Sequence, residues 1–344
     1  MIRGLSHSIA QLFPYKVLHG MVRPRIVAPF YHTVSNLAPL HIASLYPVYT
    51  PEQFERHLEF LLKHFEPIVS TDVPLILSGK KKSKKPALFL SFDDGFKEIV
   101  TIVEPILSKR GIPATFFVSP NFVDNRDMLF RCKLSLIESR LSDFKDKSLL
   151  TEVLGNITGK RNIGANQIKN IIYGLGHNDS DSIDSIANAV GVNFTEYLKT
   201  EQPYLTLNQI LTLSSKGYTI GAHSLTHPLF AELTFEQQIS EVQQSVDWVQ
   251  QNIPNQPKLF AFPFTSHGVD GRIFKHFIDS NEPKIDLMVG TSGYKPTHNN
   301  RFLHRIPMEM SLVSAKSRLK SELFYYLAKA LVGKHNDKLG YGTH

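Results

Sequence analysis

The sequence predicts an α/β protein in which about seven parallel strands alternate with helices and close into a barrel. Two observations carry this prediction. Short apolar runs alternate with amphipathic helical stretches before residue 120 and again after residue 203, and this alternation favours parallel pairing of the strands. Polar side chains follow two of the apolar runs directly, at the strand ends where barrels of this kind place their chemistry.

The first part of the chain gives four strands separated by helices. Residues 25–31 are predicted as a strand, and a helix follows from Thr50, where Thr50 and Gln53 form a capping box around Pro51. Further elements are a strand at 67–70, a helix at 71–77, a buried strand at 87–92, a helix at 96–110 that Pro105 is expected to kink, and a strand at 114–118.

Residues 120–203 break this rhythm and are predicted to form a helical insertion over one end of the barrel. The segment is rich in Asn, Ser and Asp, and helical patches occur at 134–141 and 183–189. The alternation then resumes. It predicts a helix capped by Thr206 and Gln209, a strand at 218–221, a helix capped by Thr234 and Gln237, strands at 259–262, 286–290 and 302–306, and helices at 271–279 and 312–331.

We therefore divide the chain into a lead-in at 1–24, a barrel domain at 25–330 and a tail at 331–344. The 344 residues are 42% hydrophobic and 20% charged, which is typical of a folded globular protein. The single Cys132 excludes an internal disulfide framework. Residues 1–27 lack the compact apolar core of a secretory signal, and no apolar run is long enough to cross a membrane, so we expect a cytoplasmic protein.

The positive charge of the chain is concentrated in one loop. Of the net charge of +7, five charges come from one short stretch and only +2 is left elsewhere; the five are Lys80, Lys81, Lys82, Lys84 and Lys85. A nucleic-acid groove needs basic and aromatic residues spread over a surface, so we expect no nucleic-acid partner. The loop either keeps the following apolar strand soluble or makes a weak contact with an anionic membrane surface.

Two pairs of polar residues are candidates for a metal site. Asp93 and Asp94 follow the strand at 87–92, where two adjacent carboxylates need a positive neighbour or form an ordinary Asp-Gly turn with Gly95. His223 and His227 follow the strand at 218–221 and share one face if the chain turns helically there. Each pair alone is a weak signal, but together they indicate a cation held by carboxylate and imidazole.

These residues resemble the motifs of a known family. Ser-Phe-Asp-Asp-Gly at 91–95 and His-Ser-x-x-His at 223–227 resemble the first two motifs of the polysaccharide deacetylases, the NodB-homology group of carbohydrate esterase family 4. Tyr31-His32-x-Val34 and residues 259–264 resemble further family stretches more loosely. The resemblance covers about residues 25–120 and 205–315, and it implies a deformed (β/α) barrel that removes N-acetyl groups from an N-acetylated glycan or glycan precursor.

The resemblance also implies roles for individual residues. Asp94, His223 and His227 would hold a divalent metal, for which we expect Zn²⁺, with Co²⁺ or Ni²⁺ as alternatives. Asp93 would be the catalytic base. The general acid would be a late histidine, for which His304 is the first candidate and His267 the second. Substrate contacts are expected from Pro263, Phe264, Arg305 and His32, although His32 is equally compatible with a structural role.

The sequence departs from the family pattern at Ala261 and Phe264. The family's third motif usually has an arginine where Ala261 stands, and it tends to end in Tyr where this chain has Phe264. A missing cation would leave the catalytic Asp93 more easily protonated. We therefore expect Arg305 or Arg301 to supply the charge from another strand. The same departure keeps an alternative function open, namely a catalytically inactive barrel that binds carbohydrate in a polysaccharide-assembly system.

Overall fold

The structure, a computed structural model, describes residues 2–141, 148–160, 163–280 and 282–333. Helices in this part of the chain are α1 (Ile2–Gln11), α2 (Tyr15–Val22), α3 (Pro51–His64), α4 (Asp72–Leu77), α5 (Glu104–Lys109), α6 (Phe130–Leu141), α7 (Ser148–Thr158), α8 (Ala165–Gly174), α9 (Ser180–Ala189), α10 (Phe194–Glu201), α11 (Leu207–Ser215), α12 (Phe235–Asn252), α13 (Gly271–Phe277) and α14 (Ala315–Leu331). A π-helical turn at Ile99–Val103 leads into α5. No helix among these residues is both long and apolar enough to span a bilayer.

The strands form a nearly closed parallel barrel, as predicted. They are β1 (Ile26–Val27), β2 (Pro29–Tyr31), β3 (Glu66–Pro67), β4 (Ala87–Leu88), β5 (Ser91–Phe92), β6 (Thr115–Val118), β7 (Thr219–Ala222), β8 (Leu259–Ala261), β9 (Leu287–Gly290), β10 (Phe302–His304) and β11 (Ile306–Pro307). The main sheet has the order β10-β9-β8-β7-β6-β5-β2-β11 with every pair parallel, and β1, β4 and β3 form a small parallel sheet.

One short segment of the chain pairs with β9 on one side and β2 on the other, and so closes the barrel. β10 pairs with β9, while β11, only one residue further along, pairs with β2. Arg305 stands between them; its N–H donates to the Gly290 carbonyl at 2.9 Å, and the next N–H, of Ile306, donates to Ala28 at 2.7 Å. Residues 302–307 therefore act as one continuous strand of the barrel. We call each strand position around the barrel a stave, and the main sheet has seven staves among the described residues.

Two predicted strands are each interrupted in the structure. The strand predicted at 25–31 is divided into β1 and β2, and the strand predicted at 87–92 is divided into β4 and β5. The pairings Ile26 with Ala87 and Phe30 with Ser91 keep one register, and the Phe89 N–H still donates to the Val27 carbonyl at 3.0 Å. The two runs thus remain neighbours along their length while they pass from the small sheet to the barrel.

The apolar side chains of the staves alternate between two environments. One cluster includes Phe92, Phe116, Ile220 and Phe260 and continues into the surrounding helices. The other includes Phe89, Phe117, Ala261, Val289 and Leu303, joined by residues of α4, and it fills the interior. Because successive strand residues face opposite sides, this alternation shows which side chains point into the barrel. Asp93, His223 and Arg305 continue the interior series toward the carboxyl ends of the strands.

The insertion is helical, as predicted, and has a small core of its own. Helices α6 to α9 share a buried apolar cluster that includes Leu134, Ile137, Leu150, Ile172 and Ile186. The predicted patches at 134–141 and 183–189 lie within α6 and α9. The segment predicted as a lead-in forms α1 and α2, which pack against α14, for example through the stacked rings of Phe13 and Phe324. The predicted tail from residue 334 onward lies outside the described residues.

Candidate active site

Asp93 and Asp94 occupy the carboxyl end of β5, at the rim of the barrel. The Asp93 N–H donates to the Tyr31 carbonyl at 2.9 Å, so Asp93 is the last residue held by the parallel ladder. Asp94 follows with a φ of 68°, a left-handed conformation that non-glycine residues adopt rarely. Both side chains are buried, with Asp93 1% and Asp94 7% exposed. The turn therefore sends the two adjacent carboxylates in different directions within the same rim.

His223 and His227 converge, but not by the helical turn that was expected. The loop after β7 is irregular, and both Ser224 (φ 60°) and His227 (φ 57°) are left-handed. These two residues fold the loop back, and the His227 N–H donates to the Ser224 Oγ at 3.0 Å. The condition under which the spacing alone would put both histidines on one face, a helical turn, is not met here, because the hydrogen bond from His227 to Ser224, rather than an i to i+4 ladder, closes this loop.

Glu241 of α12 holds the histidine loop from outside. Its Oε2 accepts the backbone N–H groups of Leu225 at 2.7 Å and Thr226 at 3.1 Å, and its Oε1 accepts the Thr226 hydroxyl at 2.7 Å. The loop conformation is thus tied to the long helix α12. Sequence reasoning missed Glu241, since an acidic residue on an amphipathic helix resembles any solvated residue.

Asp94, His223 and His227 form a three-sided cluster of potential metal ligands. The Asp94 Oδ1 lies 3.4 Å from the His223 Nε2 and 3.2 Å from the His227 Nε2. One ligand atom from each residue can be chosen so that all lie within 4.8 Å of one another. A tetrahedral centre with ligand bonds of about 2.1 Å separates its ligand atoms by about 3.4 Å, so the spacing fits such a cation.

The hydrogen bonding of the three residues also fits a cation. The Asp94 Oδ1 is buried and forms no hydrogen bond of normal geometry with the described residues, although two imidazole nitrogens face it. The His223 Nδ1 lies 2.9 Å from the Ala261 carbonyl, which can only accept, so the proton is on Nδ1 and the Nε2 lone pair faces Asp94. Burial lowers the pKa of His227, which favours the neutral, ligating form.

Arg305 forms a bidentate ion pair with Asp93 inside the barrel. The guanidinium donates from Nη1 to Oδ1 at 2.6 Å and from Nη2 to Oδ2 at 2.7 Å, and a further Nη1 bond reaches Ser91 Oγ at 3.0 Å. Arg305 is fully buried, with its guanidinium carbon 4.4 Å from the Phe30 ring centre. Burial raises the pKa of Asp93, but the charge of the Arg305 guanidinium and its hydrogen bonds outweigh that effect, so the pKa lies below its usual value.

The position of Arg305 accounts for the departure at Ala261. Both residues face the barrel interior, on different staves. Of the two arginines expected to replace the missing one, Arg305 is the residue that pairs with Asp93. The Arg301 Nη1 lies 4.0 Å from Asp286 instead. The expectation that Arg305 contacts substrate requires correction, because a fully buried side chain that gives both terminal nitrogens to Asp93 does not reach the cavity.

His32 lines the site and is bound to a partner that sequence reasoning missed. Glu309, in the loop after β11, accepts the His32 Nδ1 in a short hydrogen bond, and its Oε1 accepts the backbone N–H groups of His32 at 2.9 Å and Thr33 at 3.2 Å. Burial opposes the charged imidazole, yet Glu309 raises the pKa of His32 to about 9. The Tyr46 ring stacks on the imidazole at 4.6 Å.

A cavity of about 1220 Å³ opens onto these side chains. Asp93, Asp94, His223, His227 and His32 all line it. The insertion contributes Leu129, Arg131 and Tyr173 to the wall, as expected for an element lying over the barrel end. The cavity therefore combines a polar floor with walls from both the barrel and the insertion.

The remaining predicted residues divide into cavity-lining and buried positions. Phe264 is 38% exposed, lines the cavity and packs edge-on against the His227 ring at 4.6 Å, and His267 also lines it. Pro263 is buried beneath this turn and does not line the cavity. His304 does not line it either, since its ring lies against Gly290, its register partner on the neighbouring β9; a Cβ on Gly290 would lie 2.8 Å from the His304 Nδ1.

Comparison with known proteins identifies the family. The model of the polysaccharide deacetylase family matches residues 80–148 and 172–272, which include both aspartates and both histidines of the cluster. The chain belongs to the polysaccharide deacetylase family. Polysaccharide deacetylases are hydrolases of carbon–nitrogen bonds other than peptide bonds, and the family assignment places the chain in that enzyme class. YxkH of Bacillus subtilis (strain 168), whose name assigns it provisionally to polysaccharide deacetylases, is 26% identical over 89 residues. The matched region is 26% of this chain and only 29% of YxkH.

Solved deacetylase structures share the fold of this chain at low identity. A Streptococcus pyogenes deacetylase, PplD, in complex with acetate superposes with a TM-score of 0.54 at 17% identity, over 86% of this chain and 97% of PplD. IcaB from Ammonifex degensii gives a TM-score of 0.52 at 14% identity, over 87% and 97% of the respective chains. At these identities the likeness concerns the fold alone.

Proposed function

We propose that this polysaccharide deacetylase is a metal-dependent hydrolase that removes N-acetyl groups from an N-acetylated glycan or glycan precursor. The observation that carries the proposal is the convergence of Asp94, His223 and His227 at the floor of a cavity, beside an Asp93 carboxylate held by Arg305. A divalent metal bound by the three ligands, with Zn²⁺ as the first candidate, would acidify a water molecule and polarise the acetamide carbonyl.

Asp93 is proposed as the general base. It lines the cavity, and its Oδ2 lies 3.8 Å from the His223 Nε2, so it stands next to the ligand cluster without forming part of it. Arg305 occupies one lone pair on each oxygen and holds the carboxylate ionised near neutral pH. The remaining lone pairs can accept a proton from water bound above them.

His32, rather than His304, is proposed as the general acid. A general acid must be protonated and must reach the leaving amine. His32 lines the cavity and keeps its proton because Glu309 stabilises the imidazolium, whereas His304 does not line the cavity. Proton transfer from the His32 Nε2 to the departing nitrogen would leave a neutral imidazole still oriented by Glu309.

The substrate is proposed to enter as one or a few sugar units. The cavity mouth offers the Phe264 ring, and its wall offers Tyr46 and Tyr173, and sugar rings pack on such aromatic surfaces. Residues 25–330 are proposed to act as one domain, with 120–203 as the insertion that completes the wall. The sequence feature that favoured an inactive carbohydrate-binding barrel was Ala261, and the Arg305–Asp93 pair weakens that alternative.

Acetate release from N-acetylated oligosaccharides tests the proposal. The purified protein is loaded with Zn²⁺, Co²⁺ or Ni²⁺ and compared with Asp93→Asn, which removes the base but keeps every proposed ligand. We expect release by the wild type and a loss of about a hundredfold or more in the variant, typical of removing a general base. Metal-loaded wild type that binds a broad glycan panel yet releases no acetate would support the inactive binder instead.

A further inference from the structure

Helices α1 and α2 expose an unusual amount of apolar surface. We define the α1–α2 apolar face by five side chains that are each more than a third exposed, up to 81% for Leu12 and 64% for Met21; the five are Ile9, Leu12, Phe13, Val17 and Met21. Leu12 and Phe13 lie in the turn between the two helices. Single exposed apolar residues are common on protein surfaces, whereas five within thirteen consecutive residues are not. The face lies outside the segments that match the family.

Two polar side chains of α1 form hydrogen bonds with α14. A surface helix normally buries its apolar stripe and presents its polar side to water. Here the polar side chains face inward: the His7 Nδ1 lies 2.7 Å from the Ser321 Oγ, and the Gln11 Nε2 donates to the Ser317 carbonyl at 3.3 Å. Ile9 of α1 and Leu12, just after it, are exposed instead, whereas Ala10 is buried. The hydrogen bonds thus hold α1 against α14 while Ile9 and Leu12 stay in contact with solvent.

Helix α2 continues this surface while remaining anchored to the barrel. Tyr15 and Leu18 are buried, and the Tyr15 ring packs edge-on against Phe60 and His64 of α3 at 5.2 and 5.0 Å. Val17 and Met21, four residues apart, stay exposed on one side of the helix. The exposed face is therefore presented by two helices that are packed in place.

The charges around the α1–α2 apolar face are basic. No acidic residue precedes Glu52 in the chain, and Lys16 and Arg23 are exposed within and just after α2. The lysine loop lies near α2, because the Lys85 Nζ donates to the Lys63 carbonyl at 3.3 Å, and Lys63 adjoins the His64 that packs on Tyr15. Aliphatic side chains bordered by lysine and arginine match an anionic lipid surface.

We propose that the α1–α2 apolar face docks the protein onto the surface of an anionic lipid bilayer. The apolar side chains would insert at the boundary of headgroups and acyl chains, and Lys16, Arg23 and the lysine loop would contact lipid phosphates. Nucleic acid would satisfy the basic groups but leave the aliphatic side chains in water. A second copy of the chain would cover the aliphatic side chains but oppose like charges. The inference is independent of the proposed deacetylase activity.

Vesicle sedimentation tests the proposal without any substrate. Probes are vesicles of phosphatidylglycerol and phosphatidylcholine in equal parts, and vesicles of phosphatidylcholine alone. The variant Leu12→Ser/Val17→Ser/Met21→Ser changes only exposed side chains. The matched control, Leu37→Ser/Leu40→Ser/Val69→Ser, removes three exposed apolar side chains elsewhere, which are 83%, 55% and 40% exposed. We expect the first variant to partition onto anionic vesicles at least about tenfold more weakly than wild type, with the control unchanged.

The electrostatic contribution to vesicle binding and the insertion of apolar side chains are measured separately. Lys16→Glu/Arg23→Glu should abolish the preference for phosphatidylglycerol, whereas Lys109→Glu/Lys199→Glu, with the same change in net charge, should keep it. A tryptophan at position 12 (Leu12→Trp) should shift its emission to the blue on anionic vesicles, and Leu37→Trp should not. Equal melting temperatures of all variants show that folding is intact.

Three outcomes would overturn the proposal. Wild type could remain in the supernatant with both kinds of vesicle. The α1–α2 variant and its matched control could lose binding equally, which would make the effect nonspecific. Light scattering could instead show a dimer that Leu12→Ser/Val17→Ser/Met21→Ser dissociates, in the absence of vesicle binding, and the face would then belong to a second copy of the chain.

Discussion

Arg305 and Asp93 lie 212 residues apart in the chain and form a bidentate ion pair with bonds of 2.6 and 2.7 Å in the barrel interior. The two residues belong to neighbouring parts of the rim only because residues 302–307 close the barrel. A buried ion pair adds little stability over an apolar pair, but removing one partner leaves the other charge buried and alone. The interaction therefore makes the ionisation of Asp93 depend on closure of the barrel.

Neutralising Arg305 should shift the acid limb of activity upward. In Arg305→Met the pKa of Asp93 rises, because burial then acts without the guanidinium, and the base becomes protonated at higher pH. The profile of kcat/KM against pH measures this. Urea unfolding should also show a loss of about 3–5 kcal/mol, the usual cost of breaking a buried pair. An unchanged acid limb would show that Arg305 does not control Asp93, and Arg301→Met serves as the control.

The two aspartates should differ in their effect on metal binding. Asp94→Ala removes a ligand from the three-residue cluster, so Zn²⁺ affinity should fall by about a hundredfold or more. Asp93→Asn keeps all three ligands and should bind Zn²⁺ within a few-fold of wild type. Competition with a chromophoric chelator gives both affinities. Equal losses in the two variants would refute the assignment of separate roles.

Glu309 should control the alkaline limb of activity. Because Glu309 raises the pKa of His32, Glu309→Gln should lower that pKa, and the imidazolium is then lost at a lower pH. The alkaline limb of kcat should therefore move down. His32→Gln should reduce kcat by about a hundredfold or more, as for loss of a general acid. A comparable loss in His304→Gln, with His32→Gln nearly fully active, would return the role to His304.

Tyr49 should stabilise the loop that positions Glu309, without contacting Glu309 itself. Its buried hydroxyl lies 3.1, 2.7 and 2.9 Å from the carbonyls of Met308, Ser311 and Val313, in the loop that carries Glu309. Tyr49→Phe should cost about 1–3 kcal/mol, since at least one buried carbonyl loses its donor. If the loop positions Glu309, the alkaline limb should shift in the same direction as in Glu309→Gln. Lost stability with an unmoved limb would show a structural role only.

His57 should make the fold sensitive to acid. Burial lowers its pKa from 6.5 to about 4, so the unfolded state takes up the proton first as the pH falls. The stabilisation is complete above pH 6.5 and is lost as the pH drops toward 4, by about 3 kcal/mol from this group. His57→Gln should flatten the dependence of unfolding free energy on pH across that window. An equally steep dependence in the variant would assign it to other groups.

The elements that the sequence predicts best are those with local causes. The capping boxes at Thr50, Thr206 and Thr234 are present, each with its Gln side chain in place, because cap and partner are three residues apart. Strand alternation likewise leads to the parallel barrel. Asp94, His223 and His227 meet because parallel strands end at the same rim.

The parts that the sequence does not predict depend on distant pairing or on unusual backbone. Glu309 lies 277 residues from His32, and no local pattern relates them. The left-handed residues Ser224 and His227 are visible only in the folded loop, so a helical turn was the natural expectation. His304 follows the family pattern of a late histidine, yet its ring lies against Gly290 of the neighbouring β9 and does not line the cavity. An acidic residue that follows the last strand was the available signal for Glu309.

The closing stave also has a consequence for synthesis of the protein. A nascent chain that has emerged only as far as residue 301 leaves β2 and β9 each without one of its two neighbouring strands, and open strand edges of this kind invite aggregation. Arg305 arrives with the same stave. Synthesis of residues 302–307 therefore supplies both the strand that closes the barrel and the cation that pairs with Asp93. A chain terminated before this point would have two open strand edges and an Asp93 carboxylate without its arginine partner.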